Sequence, residues 1–204
     1  MMNSRSNRRR VVAAMLLGGM AMSAAAMPPV TAGLMTAAGT LDGESVVQAT
    51  ATARIRPLEW LDLELSATAI HTLERAYRDA EGRPYQSETG WTGIGIRPFV
   101  ALGERLELGF PLRTANGIIQ FRYERPYRDR VDWTEEILDR ETVVVNSAGM
   151  DLTIAVSERW SITAEAGGRV SSPVRTTVPE AVDRQALNSW YAGIGTAYRL
   201  RSNR

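Results

Sequence analysis

The only histidine in the chain, His71, is the first candidate for catalysis. A hydrolytic centre needs a hydroxyl nucleophile, an imidazole base and a carboxylate within hydrogen-bond contact of one another. Ser66, Thr72 and Glu74 are close to His71 along the chain, but they form no motif that is specific for such a centre. We therefore predict that the protein is not an enzyme and that His71 lies at a polar–apolar boundary near the end of a strand.

An acidic segment is the second candidate, because carboxylate oxygens can bind a divalent cation. Its members are Asp132, Glu135, Glu136, Asp139 and Glu141. Their spacing matches no cation-binding loop, so we predict a solvated charged loop. The chain has no cysteine, which excludes disulfides and thiolate metal sites. We predict neither a metal nor a cofactor.

The first 26 residues have the organisation of a secretory signal peptide. Four arginines precede an apolar run over residues 11–26, which ends in Ala24-Ala25-Ala26. A membrane-anchoring helix is the alternative, but the run is short for a span. We predict a cleaved signal at 1–26 and one exported domain at 27–204. Removing four positive charges from the net charge of +1 leaves −3, which does not favour a nucleic-acid partner.

The exported domain alternates apolar and polar residues with a period of two, which is typical of strands. Residues 46–57 and 61–73 both show this pattern, and the short link at 58–60 predicts a hairpin. If residues 57 and 61 are opposite each other, Arg56 faces Asp62 and Arg54 faces Glu64 on the polar side. Chance placement of charges on a solvated face is the alternative.

Further strands are predicted over 92–102, 106–114, 147–157, 160–170 and 190–200. Their polar positions and those of the first hairpin predict a charge network inside a barrel. Its members are Arg54, Arg56, Asp62, Glu64, Arg97, Glu107, Arg113, Asp151, Glu165 and Arg169. The pairs Gly93-x-Gly95 and Gly193-x-Gly195 are not phosphate loops, because no helix follows them. We predict that these glycines leave room for the arginines.

Short links at 58–60, 103–105 and 158–159 alternate with long polar segments at about 75–88, 126–140 and 175–187. Transmembrane barrels show tight turns at the periplasmic end and longer loops outside. An even strand count requires a further strand at 31–41, turning at Asp42-Gly43-Glu44. The apolar phase changes at Asn116-Gly117, where a hairpin or a bulge would produce it. We favour the bulge, which preserves a total of eight strands.

A membrane barrel and a soluble ligand-binding barrel differ in which face is apolar. Small and charged residues share one face here, which favours a charged interior. Trp60, Trp160 and Tyr198 near the short-turn end indicate an interfacial aromatic belt, with Trp91 and Trp190 near the other end.

The last strand, with Gly193, Gly195, Tyr198 and Leu200, resembles the C-terminal signal that the barrel-assembly machinery reads in outer-membrane proteins. With the predicted signal peptide and strand layout, residues 31–200 resemble the small eight-stranded outer-membrane barrels, OmpA-like or OmpX-like in size. The resemblance implies an all-β up-and-down transmembrane barrel in the cell outer membrane, with outer-membrane lipid and the assembly machinery as partners.

Three functions remain open. The first is a non-enzymatic barrel with a side-chain-plugged interior and a structural or surface-binding role, since eight strands enclose a space that side chains fill. The second is a lipid-modifying barrel enzyme that uses His71, because some outer-membrane barrels with this chemistry combine histidine, serine and a carboxylate. The third is a secreted soluble barrel that binds an apolar ligand.

Overall fold

The computed structural model describes residues 28–41, 44–73, 77–78, 84–124, 135–173 and 188–200. All of them except Pro28 belong to the compact unit Pro29–Ser202, and all their regular elements are strands. Among them no helix is long and apolar enough to cross a membrane. The predicted signal segment 1–26 and the predicted turn residues Asp42-Gly43 lie outside the described residues.

Long runs with period-two polarity form the strands, because each residue type then meets one consistent environment on its side of the sheet. The strands are β1 (Val30–Leu41), β2 (Glu44–Leu58), β3 (Leu61–Thr72), β4 (Tyr77–Arg78), β5 (Pro84–Ala101), β6 (Leu106–Gly109), β7 (Leu112–Glu124), β8 (Glu135–Ala155), β9 (Trp160–Ser171) and β10 (Asn188–Arg199).

The sheet closes on itself, because β1 pairs antiparallel with both β2 and β10. Cross-strand partners can be followed once around the wall from Arg54 on β2, through Glu64, Gly95, Arg113, Ser147, Arg169, Ser189 and Leu41, to Glu44 on β2. The path therefore returns to β2 at a position ten residues from Arg54, and this offset is the stagger of the barrel. Such a stagger tilts the strands by about 35–45° to the barrel axis and leaves an interior that side chains can fill.

Eight strands make the wall, as the sequence predicts. The two-residue β4 pairs only with β5. β6 and β7 are one wall strand, interrupted at Phe110-Pro111 because Pro111 has no N–H for the ladder. Their register against β5 and β8 is the same on both sides of the interruption. The first strand, predicted at 31–41 from a weak alternation pattern, is present as β1.

The two faces of the wall have opposite character. Large apolar side chains point outward, and Leu65, Ile94 and Ile194 are each 61% exposed. Charged residues point inward, where Arg97 and Asp151 are each 1% exposed. A soluble protein rarely exposes a continuous apolar surface of this extent, whereas a membrane barrel needs one. The soluble-barrel alternative required the opposite orientation of the faces and is wrong.

The strand passes through Asn116-Gly117 without a hairpin or a bulge. Thr92 pairs with Asn116 and Trp91 with Gly117 in unbroken register, so the expected bulge is wrong. The apolar phase changes because the interior changes: Ala115 and Ile119 still point inward, but there the interior is apolar. A register shift against β8 does occur, at Phe121/Arg122.

The wall also extends into two predicted loops. β5 begins at Pro84 and β8 at Glu135, so the loops predicted at 75–88 and 126–140 are shorter than expected. Residues 79–83, 125–134 and 174–187 lie outside the described residues. The barrel end with the connections at 59–60, 102–105 and 156–159 is called the lower end below, and the other end the upper end.

Candidate functional site: the barrel interior

The interior holds all ten residues of the predicted charge network at inward positions of β2, β3, β5, β6, β7, β8 and β9. Six of them are at most 8% exposed: Asp62, Glu64, Arg97, Asp151, Glu165 and Arg169. Ionised groups in such surroundings need partners, because removing them from water costs several kcal/mol each. The structure arranges nine of the ten in two clusters and leaves Arg169 apart from both.

The lower cluster centres on Arg97. Its Nε and Nη2 donate to the two carboxylate oxygens of Asp151 at 2.7 and 2.6 Å, and its Nη1 donates to Asp62 at 2.9 Å. Arg56 donates to Asp62 at 2.8 Å and to both oxygens of Glu107 at 2.9 and 3.0 Å. Two guanidinium groups therefore hold three carboxylates, and the cluster carries one net negative charge.

Two neighbours shape the space for these guanidinium groups. The ring of Phe99 lies 4.0 Å from the Arg56 guanidinium carbon and 5.3 Å from that of Arg97, which is a cation–π arrangement. A Cβ atom on Gly109 would lie 2.6 Å from the Arg97 guanidinium carbon, so a larger residue there would force the Arg97 side chain to shift. The lower cluster thus depends on a glycine that the sequence pattern had not singled out.

The upper cluster is charge-balanced. Arg54 donates to Glu64 at 2.7 Å, and Arg113 donates to Glu64 at 2.5 Å and to Glu165 at 2.5 Å. The Tyr191 hydroxyl donates to Glu165 at 2.7 Å. Two arginines thus neutralise two carboxylates, and a tyrosine completes the hydrogen bonding.

The predicted link between glycines and arginines holds for only one of the four predicted glycines. A Cβ on Gly95 would meet the Arg113 side chain at 2.9 Å. Gly93, Gly193 and Gly195 face Ala115, Ala37 and Met35 respectively. These three glycines therefore accommodate neighbouring wall residues, whereas Gly95 and Gly109 accommodate arginines.

Arg169 is the one interior arginine that forms no ion pair among the described residues. Its Nη2 donates to the Gln48 side-chain oxygen. Its guanidinium carbon lies 4.1 Å from the Tyr191 ring centre and 5.2 Å from that of Trp91. The surroundings of Arg169 thus differ from those predicted, because aromatic faces and an amide take the place of the expected carboxylate partner.

An apolar layer lies beyond Arg169 toward the upper end. Its members are at most 5% exposed: Leu41, Val46, Ile70, Ile119, Val143 and Val145. Cross-strand register places Ile70 beside Thr89, and Thr89 beside Ile119. The interior therefore changes along the axis from charged, through a single cation, to apolar.

His71 lies on the outer face, and its Nδ1 is 4.0 Å from Glu88. Ser66 and Thr72 are buried on the inward face, so the wall separates them from His71. Glu74 lies outside the described residues. The hydroxyl–histidine–acid set considered from the sequence is therefore not assembled from Ser66 or Thr72. No group of three metal-ligating side chains occurs among the described residues, and Asp132 lies outside them.

The outer aromatic residues are at the barrel ends. Trp160 packs on Tyr198 with ring centres 4.9 Å apart, and Trp60 and Trp190 are 56% and 59% exposed. Trp91 is an exception, because its side chain points inward and is buried against Arg169. The prediction that Trp91 belongs to an outer aromatic belt is wrong, because residue 91 is at an inward position of β5.

The predicted assembly signal occupies the last strand. Gly193 and Gly195 face inward, Tyr198 faces outward, and Leu200 is 60% exposed just beyond β10. The Leu200 N–H donates to the Val30 carbonyl at 2.8 Å, which ties this end to β1. Its recognition by an assembly machinery stays a prediction.

Three interior residues were not assigned a role from the sequence: Phe99, Tyr191 and Gln48. All three are at inward positions of predicted strands, so their phase was the available signal. Alternation gives the face of a residue but not its height in the barrel, and for that reason their contacts with arginines were not apparent.

An apolar belt outside and ion pairs inside define a transmembrane β-barrel of the outer-membrane type. No family model matches the chain, and no curated protein matches it in sequence. Among solved structures, the Neisserial surface protein A matches with a TM-score of 0.57 and 10% identity over 84% of this chain and 96% of that one. A major outer-membrane protein of Thermus thermophilus gives 0.53 and 12% over 84% and 99%. The chain therefore has the fold of the small outer-membrane β-barrels.

Proposed function

We propose that this protein is a non-enzymatic outer-membrane barrel with a closed interior, which stabilises the envelope or presents its upper end to a partner. The single observation that carries the proposal is the stack of buried inward side chains along the barrel axis. Two ion-pair clusters, Arg169 and an apolar layer follow one another along the axis. Each of these would have to be displaced for a hydrated ion to pass.

The clusters resist displacement because their members are buried and mutually bonded. Removing one partner of a buried ion pair costs about 3–5 kcal/mol, since the other charge is left uncompensated. Arg97 and Asp151 have 1% and 0% exposed side chains and share two hydrogen bonds. The apolar layer adds a second barrier, because narrow apolar constrictions exclude water.

The lower end is open by comparison. A cavity of about 430 Å³ at the short-turn end is lined by Arg56, Glu107, Arg105 and Arg199, among others. The side chains of Arg56 and Glu107 are 28% and 23% exposed. Water thus reaches the bottom of the lower cluster, and the barrel is a vestibule closed above rather than a channel.

The surface role rests on the strands that extend the wall at the upper end. β8 spans 21 residues and β5 spans 18, against 12 for β1, β3, β9 and β10. About 9–11 residues are enough for a tilted strand to cross a membrane. The excess length of β5 and β8 would lift this side of the barrel above the bilayer, where a partner could reach it.

Single-channel conductance measurements in planar lipid bilayers test whether the interior is closed. We expect no channel, or only small and rare openings, for the natural protein. The double variant Ile119→Ala/Val143→Ala thins the apolar layer but leaves the ion pairs, and the variant Arg97→Ala/Asp151→Ala disrupts the lower cluster but leaves the apolar layer. Each variant should increase the frequency of channel openings only partially, because the other barrier remains. A large and stable open channel in the natural protein would contradict the proposal.

A further inference from the structure

We propose that the upper interior of the barrel binds one small anion, such as chloride, beside Arg169 and two polar side-chain atoms that have no hydrogen-bond partner among the described residues. The three groups are the Arg169 guanidinium, the Gln48 amide nitrogen and the Ser189 hydroxyl. This property is independent of the closed interior proposed above.

The charge of Arg169 motivates the site. Over the ten interior residues, five arginines balance five carboxylates, but the charge is unevenly distributed. The lower cluster has one carboxylate in excess, the upper cluster is neutral, and Arg169 provides the remaining positive charge. Excess charge in the lower cluster is relieved by water from the 430 Å³ cavity. Arg169 lies between the upper cluster and the apolar layer, and it has no ion-pair partner among the described residues.

The aromatic rings of Trp91 and Tyr191 stabilise the Arg169 cation only in part. A cation over a ring gains about 0.5–2 kcal/mol, which is less than the several kcal/mol that burial of an ion costs. Arg113 and its two carboxylates are already balanced among themselves. A counter-ion beside Arg169 would supply the compensation that the rings do not.

Two unpartnered polar atoms indicate where such an anion would bind. Gln48 and Ser189 are 5% and 9% exposed, and the Gln48 amide nitrogen and the Ser189 hydroxyl are each buried without a hydrogen bond among the described residues. Native proteins leave few buried polar atoms unsatisfied. Both atoms can donate a hydrogen bond, as an anion requires.

The register places these two donors beside Arg169. Ser189 is the direct cross-strand partner of Arg169, and Gln48 is hydrogen-bonded to Arg169 across the interior. Donors from β2, β9 and β10 therefore line one side of the space at the boundary of the apolar layer. Thr89, whose hydroxyl is also unpartnered among the described residues, lies on β5, on the opposite side of the eight-stranded wall from β10, and is not part of the site. The apolar surroundings favour a small anion of low charge over phosphate or sulfate.

Halide titration of the purified folded full-length protein tests the proposal. Gluconate is replaced by chloride or bromide at constant ionic strength, and the melting temperature is followed. We expect a saturable rise, because a ligand that binds only the folded state stabilises it. Bromide should also quench a saturable part of the tryptophan fluorescence, since Trp91 lies beside the site.

Variants separate this site from general salt effects. Arg169→Gln should abolish both the saturable rise and the saturable quenching, whereas Arg159→Gln in a lower-end turn should change neither. Trp91→Phe should remove the saturable quenching and keep the rise in melting temperature. If Arg169→Gln does not fold, Ser189→Ala retains the cation and should weaken halide binding ~10-fold, whereas Thr89→Val on the opposite wall should not. A natural protein whose melting temperature is the same in chloride and gluconate, or a Ser189→Ala variant with an unchanged halide midpoint, would overturn the proposal.

Discussion

Arg97 on β5 and Asp151 on β8 form a bidentate ion pair inside the barrel, with Nε–Oδ2 and Nη2–Oδ1 distances of 2.7 and 2.6 Å. The two residues are 54 positions apart in sequence, and the β6–β7 wall strand lies between their strands. A planar guanidinium matches a carboxylate in this way, whereas a lysine would offer a point charge. The chain has no lysine, so the interior has only arginine available for its cations.

The first prediction concerns the coupling between Arg97 and Asp151. Arg97→Met should lower the free energy of unfolding by about 3–5 kcal/mol, because three carboxylates lose their shared partner. Asp151→Leu should also be costly. The double variant should be less destabilised than the sum of the single variants by roughly 1–3 kcal/mol.

Urea unfolding in lipid vesicles measures these values. Because the double variant keeps Asp62 and Glu107 without Arg97, its stability should not return to that of the natural protein. Strict additivity of the two single effects would show that the pair in the structure is not energetically coupled.

A second prediction compares two carboxylates of the same cluster that differ in exposure. The side chain of Asp151 is 0% exposed and that of Glu107 is 23% exposed. Asp151→Asn should cost about 3 kcal/mol or more, because Arg97 loses its principal buried partner. Glu107→Gln should cost about 1 kcal/mol or less, because water from the lower cavity screens the charge.

Salt provides the control for this comparison. Raising the ionic strength from about 0.1 to about 1 M shortens the screening length roughly threefold. The effect of Glu107→Gln should shrink as salt rises, and that of Asp151→Asn should stay nearly constant. Equal salt responses for the two variants would contradict the difference in solvent access.

Gly109 gives a third prediction, because a Cβ at this position would lie 2.6 Å from the Arg97 guanidinium carbon. Gly109→Ala should destabilise the barrel by about 1–3 kcal/mol, as overpacked interior positions do. Gly90→Ala is the matched control on the neighbouring β5 strand, where the nearest atom to a new Cβ is 3.7 Å away. Urea unfolding should separate the two variants, and equal stabilities would mean that Arg97 can move aside.

The strand pattern of this chain could be predicted from the sequence because each residue faces either lipid or the interior. The pairs Arg56–Asp62 and Arg54–Glu64 could be worked out as well, since both lie within one hairpin. The expected placement of residue 57 opposite residue 61 is wrong, because Leu58 pairs with Leu61 and the register shifts between Ile55 and Leu58. Contacts such as Arg169 with Gln48 could not be worked out. They join strands that meet only after the barrel has closed with a stagger of ten residues, and alternation carries no information on that stagger.

Two local errors have a single physical cause. The changed apolar phase at Asn116-Gly117 suggested a bulge, and the place of Trp91 near a strand end suggested an outer belt, although its phase does not match the lipid face. Both interpretations assumed that the interior is polar along its whole length. Above Arg169 the interior is mostly aliphatic, with a few buried hydroxyl residues such as Thr72. Ile119 and Val143, each 1% exposed, therefore point inward, and the register is unbroken around Asn116-Gly117. Strand phase was the more reliable guide than residue character.

The last prediction concerns His71, which pairs weakly with Glu88 on the outer face, 4.0 Å away. A lipid-modifying centre would need a hydroxyl nucleophile beside this imidazole, but Ser66 and Thr72 are on the other side of the wall. We therefore expect His71→Ala to leave the lipid A profile of the host membrane unchanged, as mass spectrometry would show. Glu88→Gln is the matched variant, because it removes the only acid seen beside the imidazole among the described residues. A lipid A species that depends on expression of the protein and disappears in both variants would establish catalysis at this pair and refute the non-enzymatic role.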